Sequence, residues 1–305
     1  MAPILQGFFT DKLIRQRRAG PNTIAAYRDT WRLLLQFASR ATVTAPSGLD
    51  LTQLDAMLVT AFLDHLETER ANSTATRNAR LAAIRSLFHY AALHAPEHAE
   101  DIARVLAIPP KRCDRPVICF LTAEEIDALL AAPDRATRLG LRDHALLLLA
   151  YQTGLRVSEL TRLTRNDIHF GPGAHLRCHG KGRKDRATPL TRQTVAALQI
   201  WLAEHQGGPD DAVFSTREGR PLSPDAVAKL VTKHATSAKA RCPSLAAKNV
   251  TPHTLRHSCS TALLHAGVDT SVIALWLGHE DPASTQAYLH ADMTIKEKAL
   301  VGFPS

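Results

Sequence analysis

A chain of 305 residues with 45% hydrophobic content is long enough for two domains, each burying a core of its own. Its 37 lysines and arginines against 29 acids leave a net charge of +8, which favours a polyanionic partner, nucleic acid first. The longest strongly apolar run, Ala145–Tyr151, falls far short of the roughly 20 residues a membrane span needs, and the N-terminus lacks a basic-then-apolar signal layout, so a cytoplasmic protein with no membrane partner is expected. The five cysteines are scattered, odd in number and without CxxC spacing, which argues for reduced thiols and against a zinc ribbon or a disulfide frame.

Along the chain, PNTIAAYRDTWRLLLQFASR places Ile24, Tyr27, Trp31, Leu34, Leu35 and Ala38 at helical spacing after a cap at Asn22 or Thr23. A shorter helix is expected around Leu54–Thr68 and a third over Ser73–His94, with Leu81, Ile84, Phe88 and Ala91 on one stripe. Ala75, Ala79, Ala82 and Ser86 form a small-residue face on that third helix, and its Arg77, Arg80 and Arg85 are candidate contacts to a phosphate backbone. The same face would equally suit a close helix–helix contact. The segment IPPKRCDRPV, with three prolines and four charges in ten positions, reads as an exposed linker. The expected division is an N-terminal domain over 1–108, a linker over 109–117 and a C-terminal domain over 118–305.

After the linker, LTAEEIDALLAA opens with Thr122 and Glu125 in capping-box spacing. The helix Arg138–Thr153 is apolar nearly all round and should be the buried centre of its domain, with Gly154 ending it in a left-handed turn. In TGLRVSEL, Arg156 then opens a new helix at Val157, and Glu159 stands three residues on, where it can orient the guanidinium or simply form a surface pair. His175–Leu190 changes to a period of two and predicts a β-hairpin turning at Gly180–Gly182. That hairpin carries Lys181 at its tip with Arg177, Arg183, Lys184 and Arg186 nearby, a basic finger fit to enter a groove or merely to attract phosphate. Helices are expected at Thr191–His205, Pro224–Ala238, Leu255–Ala266 and Thr270–Leu277.

In TPHTLRHS, Thr251 or Pro252 suits a helix start, and His253 and Arg256 at i and i+3 then share a helix face, which suits an anion that needs both charge and a proton partner. His253 and His257 at i and i+4 lack the glutamate of an HExxH site, and no third ligand has recognisable spacing, so no metal is expected. In LGHEDPASTQAYLH, an unbroken helix would point His279 and Tyr288 to opposite faces. Gly278 and the Asp281–Pro282 pair break it, which frees the two side chains to meet one target.

Arginine, lysine, His-x-x-Arg, histidine and tyrosine in this order, each at an element end, make the sequence resemble the tyrosine recombinase (integrase) family over nearly its whole length. TGLRVSEL looks like the family's first arginine box, HGKGRKDR its lysine hairpin, TPHTLRHS its HxxR box and LGHEDPASTQAYLH its histidine and tyrosine box. The resemblance implies a mainly α fold. An all-helical, SAM-like core-binding domain would precede a mostly helical catalytic domain with a small antiparallel β-sheet.

It further implies a Xer-like two-domain site-specific recombinase that cuts DNA with no metal, cofactor or ATP. Tyr288 would be the nucleophile and form a 3′-phosphotyrosyl bond, Arg156 and Arg256 would hold the phosphate, His253 and His279 would supply hydrogen bonds, Lys181 would protonate the leaving oxygen and Glu159 would support Arg156. The implied partners are double-stranded DNA with short inverted core sites and further copies of the chain in a tetrameric synapse. The tail after Tyr288, with Leu300, Val301 and Phe303, would be the docking segment, in cis or in trans. Movement of a mobile element is the expected role. Resolution of chromosome or plasmid dimers, a non-recombining DNA-binding accessory protein and a type IB topoisomerase-like enzyme are the alternatives.

Overall fold

Two sets of apolar helical stripes collapse separately, and in this computed structural model the chain divides into two compact units, Met1–Arg115 and Pro116–Ser305. The structure describes residues 1–113, 119–179, 185–204 and 207–278.

The first unit is helical throughout: α1 (Ala2–Gly7), a π-wound helix Phe8–Gln16, α2 (Pro21–Thr42), α3 (Ala56–Thr68), α4 (Thr74–His94) and α5 (Ala99–Leu106). Helix α2 starts at Pro21 with Gly20 as its N-cap, not at Asn22 or Thr23, because proline's fixed φ and missing N–H suit the first helical position. Ser73 caps α4 as the spacing suggested, its hydroxyl accepting from the Thr76 N–H. Trp31, Leu34 and Ala38 of α2 meet Phe62, Leu63 and Leu66 of α3 and Leu81, Ile84 and Phe88 of α4 in one core, which Phe8 and α5 complete. The small face of α4 does not serve a packed helix contact within this unit: Ala75, Ala79 and Ala82 are exposed. Residues 109–113 have no regular structure, but they are tied to α4, where Asn78 Nδ2 donates to the Lys111 carbonyl at 2.7 Å and Asn78 Oδ1 accepts the Lys111 N–H at 3.0 Å.

The second unit contains α6 (Ala123–Leu130), α7 (Arg138–Thr153), α8 (Val157–Leu160), β1 (Ile168–His169), β2 (His175–His179), β3 (Asp185–Pro189), α9 (Arg192–Glu204), α10 (Pro224–Ala238), α11 (Pro252–His265) and α12 (Thr270–Leu277). The predicted capping box of α6 is present, with Thr122 and Glu125 bonded reciprocally. Every residue from Ala145 to Ala150 of α7 is buried, which makes α7 the centre on which α6, α9 and α11 pack. The sheet is antiparallel in the order β1-β2-β3. Strand β1, only two residues long, has no period for sequence reasoning to detect. Two polar staples fix α11 against the start of the unit. Ser258 of α11 accepts the Leu121 N–H at 2.9 Å, and Lys248, just before α11, donates to Glu125 Oε2 at 2.6 Å and to the Phe120 carbonyl at 2.9 Å. Among the described residues no helix is long and apolar enough to cross a membrane.

Val43, which ends α2, is β-branched yet left-handed at φ 53°, and its side chain is 94% exposed. A left-handed L-residue costs roughly 1–2 kcal/mol, and glycine avoids that cost. Val43→Gly is therefore expected to stabilise the first unit by about 1 kcal/mol, read as a higher urea midpoint; an unchanged or lower midpoint would contradict the strain.

Candidate active site

Three chain segments converge where α7 ends. Gly154 terminates α7 in the left-handed conformation at φ 61°, and a Cβ at that position would lie 2.4 Å from Leu277 Cδ2 and 3.3 Å from Cys259 Sγ. Glycine thus serves both the turn and the close approach of α11 and α12. The chain leaves Gly154 through Leu155 into Arg156, the N-cap of the single-turn helix α8. So short a helix has little dipole, and the Glu159 carboxylate already accepts the Arg156 N–H at 2.8 Å, so the anion-holding capacity here lies in guanidinium groups and not in the helix start.

The two arginines expected to act on a phosphate do come together. Arg156 Nη2 donates to the Gly278 carbonyl at 2.7 Å, and Arg256 Nη2 donates to the adjoining Leu277 carbonyl, also at 2.7 Å. Arg256 Nη1 donates to the Gly154 carbonyl as well. Carbonyls left unpaired at a helix C-terminus are natural acceptors for guanidinium groups. Gly278, left-handed at φ 64°, ends α12 and precedes His279 in sequence. Arg256 is buried, whereas the Arg156 side chain is 39% exposed.

Thr251 caps α11 and Pro252 takes its first position, the start that TPHTLRHS suggests, ahead of the periodic stretch that opens at Leu255. His253 and Arg256 follow one turn apart, and the His253 ring meets the His257 ring edge-on at a centroid distance of 4.5 Å. His253 stays open to solvent on one side, but the protein around the rest of the ring, and then the charges of Arg256 and Arg156, lower its pKa. Burial, then His253, then Arg256 depress His257 to about 4. Both imidazoles are thus neutral at pH 7. Burial pushes the thiols of Cys178 and Cys259 up to about 12, so neither is a thiolate nucleophile at neutral pH. Among the described residues no group of three or more His, Cys, Asp or Glu side chains has a metal-holding arrangement.

The arginines expected at DNA divide into two kinds. Arg177 is exposed on β2 and Arg85 is half-buried. Arg77 is buried and turned inward, its Nη1 donating to Asn78 Oδ1 at 3.1 Å and to the Pro109 carbonyl at 3.4 Å. Arg80 pairs with Asp29 at 3.0 Å. Arg186 points inward too and forks onto Glu159, with Nη1 to Oε1 at 3.0 Å and Nη2 to Oε2 at 2.8 Å. This placement was readable once the hairpin register was known. Arg186 pairs directly with Cys178, and cross-strand partners share a face, so a residue opposite a buried cysteine must itself face inward. Lys181, Arg183, Lys184, His279 and Tyr288 lie outside the described residues, as do Leu300, Val301 and Phe303.

Burial raises the pKa of Glu159, but the hydrogen bonds and charge of Arg186, with the Arg156 N–H and charge, more than offset this and hold its carboxyl below the usual range. Glu159, expected to support Arg156, and Arg186, expected to contact DNA, are therefore joined in one ion-pair cluster. No side-chain signal in the sequence marks the Leu277 and Gly278 carbonyls as acceptors.

Residues 119–294 match the family profile described as phage integrase family, and residues 7–94 match that described as phage integrase, N-terminal SAM-like domain. The chain is 53% identical to a Sinorhizobium fredii protein provisionally named integrase/recombinase y4rC, over 98% of this chain and 90% of that one. It is 33% identical to the tyrosine recombinase XerC of Pelobacter propionicus, over 96% of this chain and 93% of that one. In fold it resembles the XerH site-specific recombinase bound to a difH substrate, at TM-score 0.73 and 23% identity over 93% of this chain and 80% of that one. It also resembles the integrase of the Tn1549 transposon in complex with a circular intermediate DNA, at TM-score 0.71 and 16% identity over 97% of this chain and 98% of that one.

A histidine whose folded pKa is depressed supports the fold fully above its unfolded value of about 6.5, and that support is lost as pH falls towards the folded value. With His257 at about 4, the melting temperature should fall on acidification between pH 6.5 and 4. His257→Asn should fall less steeply over that window in a calorimetric pH series, and parallel curves would contradict the burial of a neutral ring.

Proposed function

This chain belongs to the phage integrase family, the tyrosine recombinases that cleave and rejoin DNA, and from that premise we propose that it works through a covalent 3′-phosphotyrosyl intermediate built on Tyr288. The observation that carries this reading is the convergence of Arg156 and Arg256 on adjacent carbonyls, with a neutral His253 under the influence of both charges.

The Tyr288 oxygen attacks the scissile phosphorus as the bond from phosphorus to the 5′-oxygen breaks, leaving a 3′-phosphotyrosine and a free 5′-hydroxyl. Neutral imidazole can accept the phenolic proton, the role assigned to His253 or His279, and Lys181 returns a proton to the leaving oxygen. Arg156 and Arg256 stabilise the charge on the non-bridging oxygens, and removal of one such preorganised donor costs about 3–4 kcal/mol in general. The covalent bond conserves the phosphodiester energy, so a hydroxyl from a partner duplex can reseal the strand. The first unit acts as the core-binding domain on the same duplex, with Arg85, and with Arg177, Arg183 and Lys184 of the hairpin, as backbone contacts. Assembly is as a tetramer on short inverted sites, in the cytoplasm. The biological role is movement of mobile DNA: the relative at 53% identity carries an integrase name, while the XerC relative stands at 33%. Sequencing of junctions formed in cells checks that role, since junctions confined to a chromosomal or plasmid dimer site would assign dimer resolution instead.

The chemistry is tested with duplexes that the protein itself selects from a randomised pool, nicked near the centre and incubated in a chelating buffer. Wild type should give a protein–DNA adduct that survives denaturation. Tyr288→Phe should bind with unchanged affinity and give none, while Arg156→Gln and Arg256→Gln should slow adduct formation by a hundredfold or more, in the range of one lost transition-state donor, about 10²–10³. An adduct in the Tyr288→Phe variant would remove the nucleophile assignment, and binding without any wild-type adduct would favour an accessory DNA-binding protein. Relaxation of any supercoiled plasmid, without site preference, would favour a topoisomerase.

A further inference from the structure

Arg186 is a cation whose side chain is only 12% exposed, held as the second residue of β3 in the β2–β3 hairpin. Besides its fork onto Glu159, it donates from Nε to the Trp276 carbonyl at 3.1 Å, at the end of α12. The same two Glu159 oxygens hold Arg156: Oε1 accepts from Nη1 at 3.1 Å and Oε2 accepts the backbone N–H at 2.8 Å. Arg156 in turn reaches the Gly278 carbonyl. The contacts therefore close a circuit from the hairpin through Glu159 and Arg156 to the end of α12, and back to Arg186.

Gly278 belongs to this circuit. A Cβ on it would lie 2.8 Å from Arg186 Nη1 and 3.1 Å from Cζ, so the missing side chain is what lets the guanidinium lie flat against the end of the helix. Three hydrogen bonds pin that guanidinium, and it has little freedom to step aside. Glu159 with Arg156 alone would be a neutral pair, and the carboxylate would draw the guanidinium away from an incoming anion. With Arg186 present the cluster of three carries one net positive charge, and Arg156 is its more exposed member.

We propose that Arg186 is a positioning residue for strand cleavage: it takes up the Glu159 carboxylate, so that Arg156 keeps its charge and its open side for the scissile phosphate. Arg186 itself does not contact DNA. The inference rests on the reading of Arg156 as a phosphate-holding residue.

The test uses the full chain and the self-selected duplex, with Arg186→Gln, Glu159→Gln, their combination, and Arg177→Gln as the comparison that loses a phosphate contact. In a salt series, Arg186→Gln should leave the slope of log affinity against log salt unchanged, whereas loss of a phosphate contact lowers that slope by about 0.9. Arg186→Gln should slow adduct formation by about tenfold or more. Adding Glu159→Gln should restore most of that rate, which loss of packing alone would not permit. Should the glutamine variant fail to fold, Arg186→Lys carries the same test: a point charge replaces the fork, the slowing is smaller, and Glu159→Gln again lifts it. Wild-type cleavage by Arg186→Gln, a lowered salt slope, or a double variant no faster than the single would each overturn the proposal while wild type still cleaves. If wild type forms no adduct, the reading of Arg156 fails first and takes this one with it.

Discussion

The site at the end of α7 depends on one enclosed carboxylate. Glu159 is nearly enclosed, and an ion moved out of water is costly unless charge and hydrogen bonds replace its hydration. Four donors do so here, two from Arg156 and two from Arg186. Each donor comes from a segment with a different constraint: the cap of a one-turn helix for Arg156, a strand facing the core for Arg186. Both guanidinium groups also reach the end of α12, so the electrostatic requirement of a single anion orients the hairpin, α8 and α12 towards a common point.

Two glycines make that convergence sterically possible. Gly154 and Gly278 both adopt the left-handed conformation, and at both a Cβ would press on a neighbour, Leu277 in one case and Arg186 in the other. Each therefore acts as a joint at which a helix ends and a carbonyl becomes available. Helix termini expose unpaired C=O groups, and here they accept from Arg256 and Arg156. The guanidinium fork has five donors in fixed geometry, so carbonyls on one side aim the others.

The chemical division of labour follows from these environments. Burial and neighbouring cations keep His253 and His257 neutral, which leaves the positive charge to the arginines and makes the imidazoles proton partners. Burial likewise raises the Cys178 and Cys259 thiols far above neutrality and removes them as competing nucleophiles. The Glu125–Lys248 pair and the Ser258–Leu121 bond tie the chain to the start of the unit, so the helix that carries His253 and Arg256 is fixed just ahead of its first turn and near its middle.

Much of this was legible in the sequence, because helix signals are local. The stripe of α4, the capping box of α6, the enclosed run of α7, the glycine stop at Gly154 and the hairpin period each depend on residues within a turn or two. The order of arginine, lysine, His-x-x-Arg, histidine and tyrosine was likewise enough to identify the family, since chemistry constrains residue type and order whatever the packing. The orientation of Arg77 and Arg186 was not legible, because a charged side chain carries no sign of whether it faces water or a buried partner. Nor was the use of the Leu277 and Gly278 carbonyls, which every residue possesses. What brought Arg156, Arg186, Arg256 and the end of α12 to one place was the tertiary structure alone: their contacts span long stretches of chain, and only the pairing of β2 with β3 and the packing of α11 and α12 on the end of α7 set those distances.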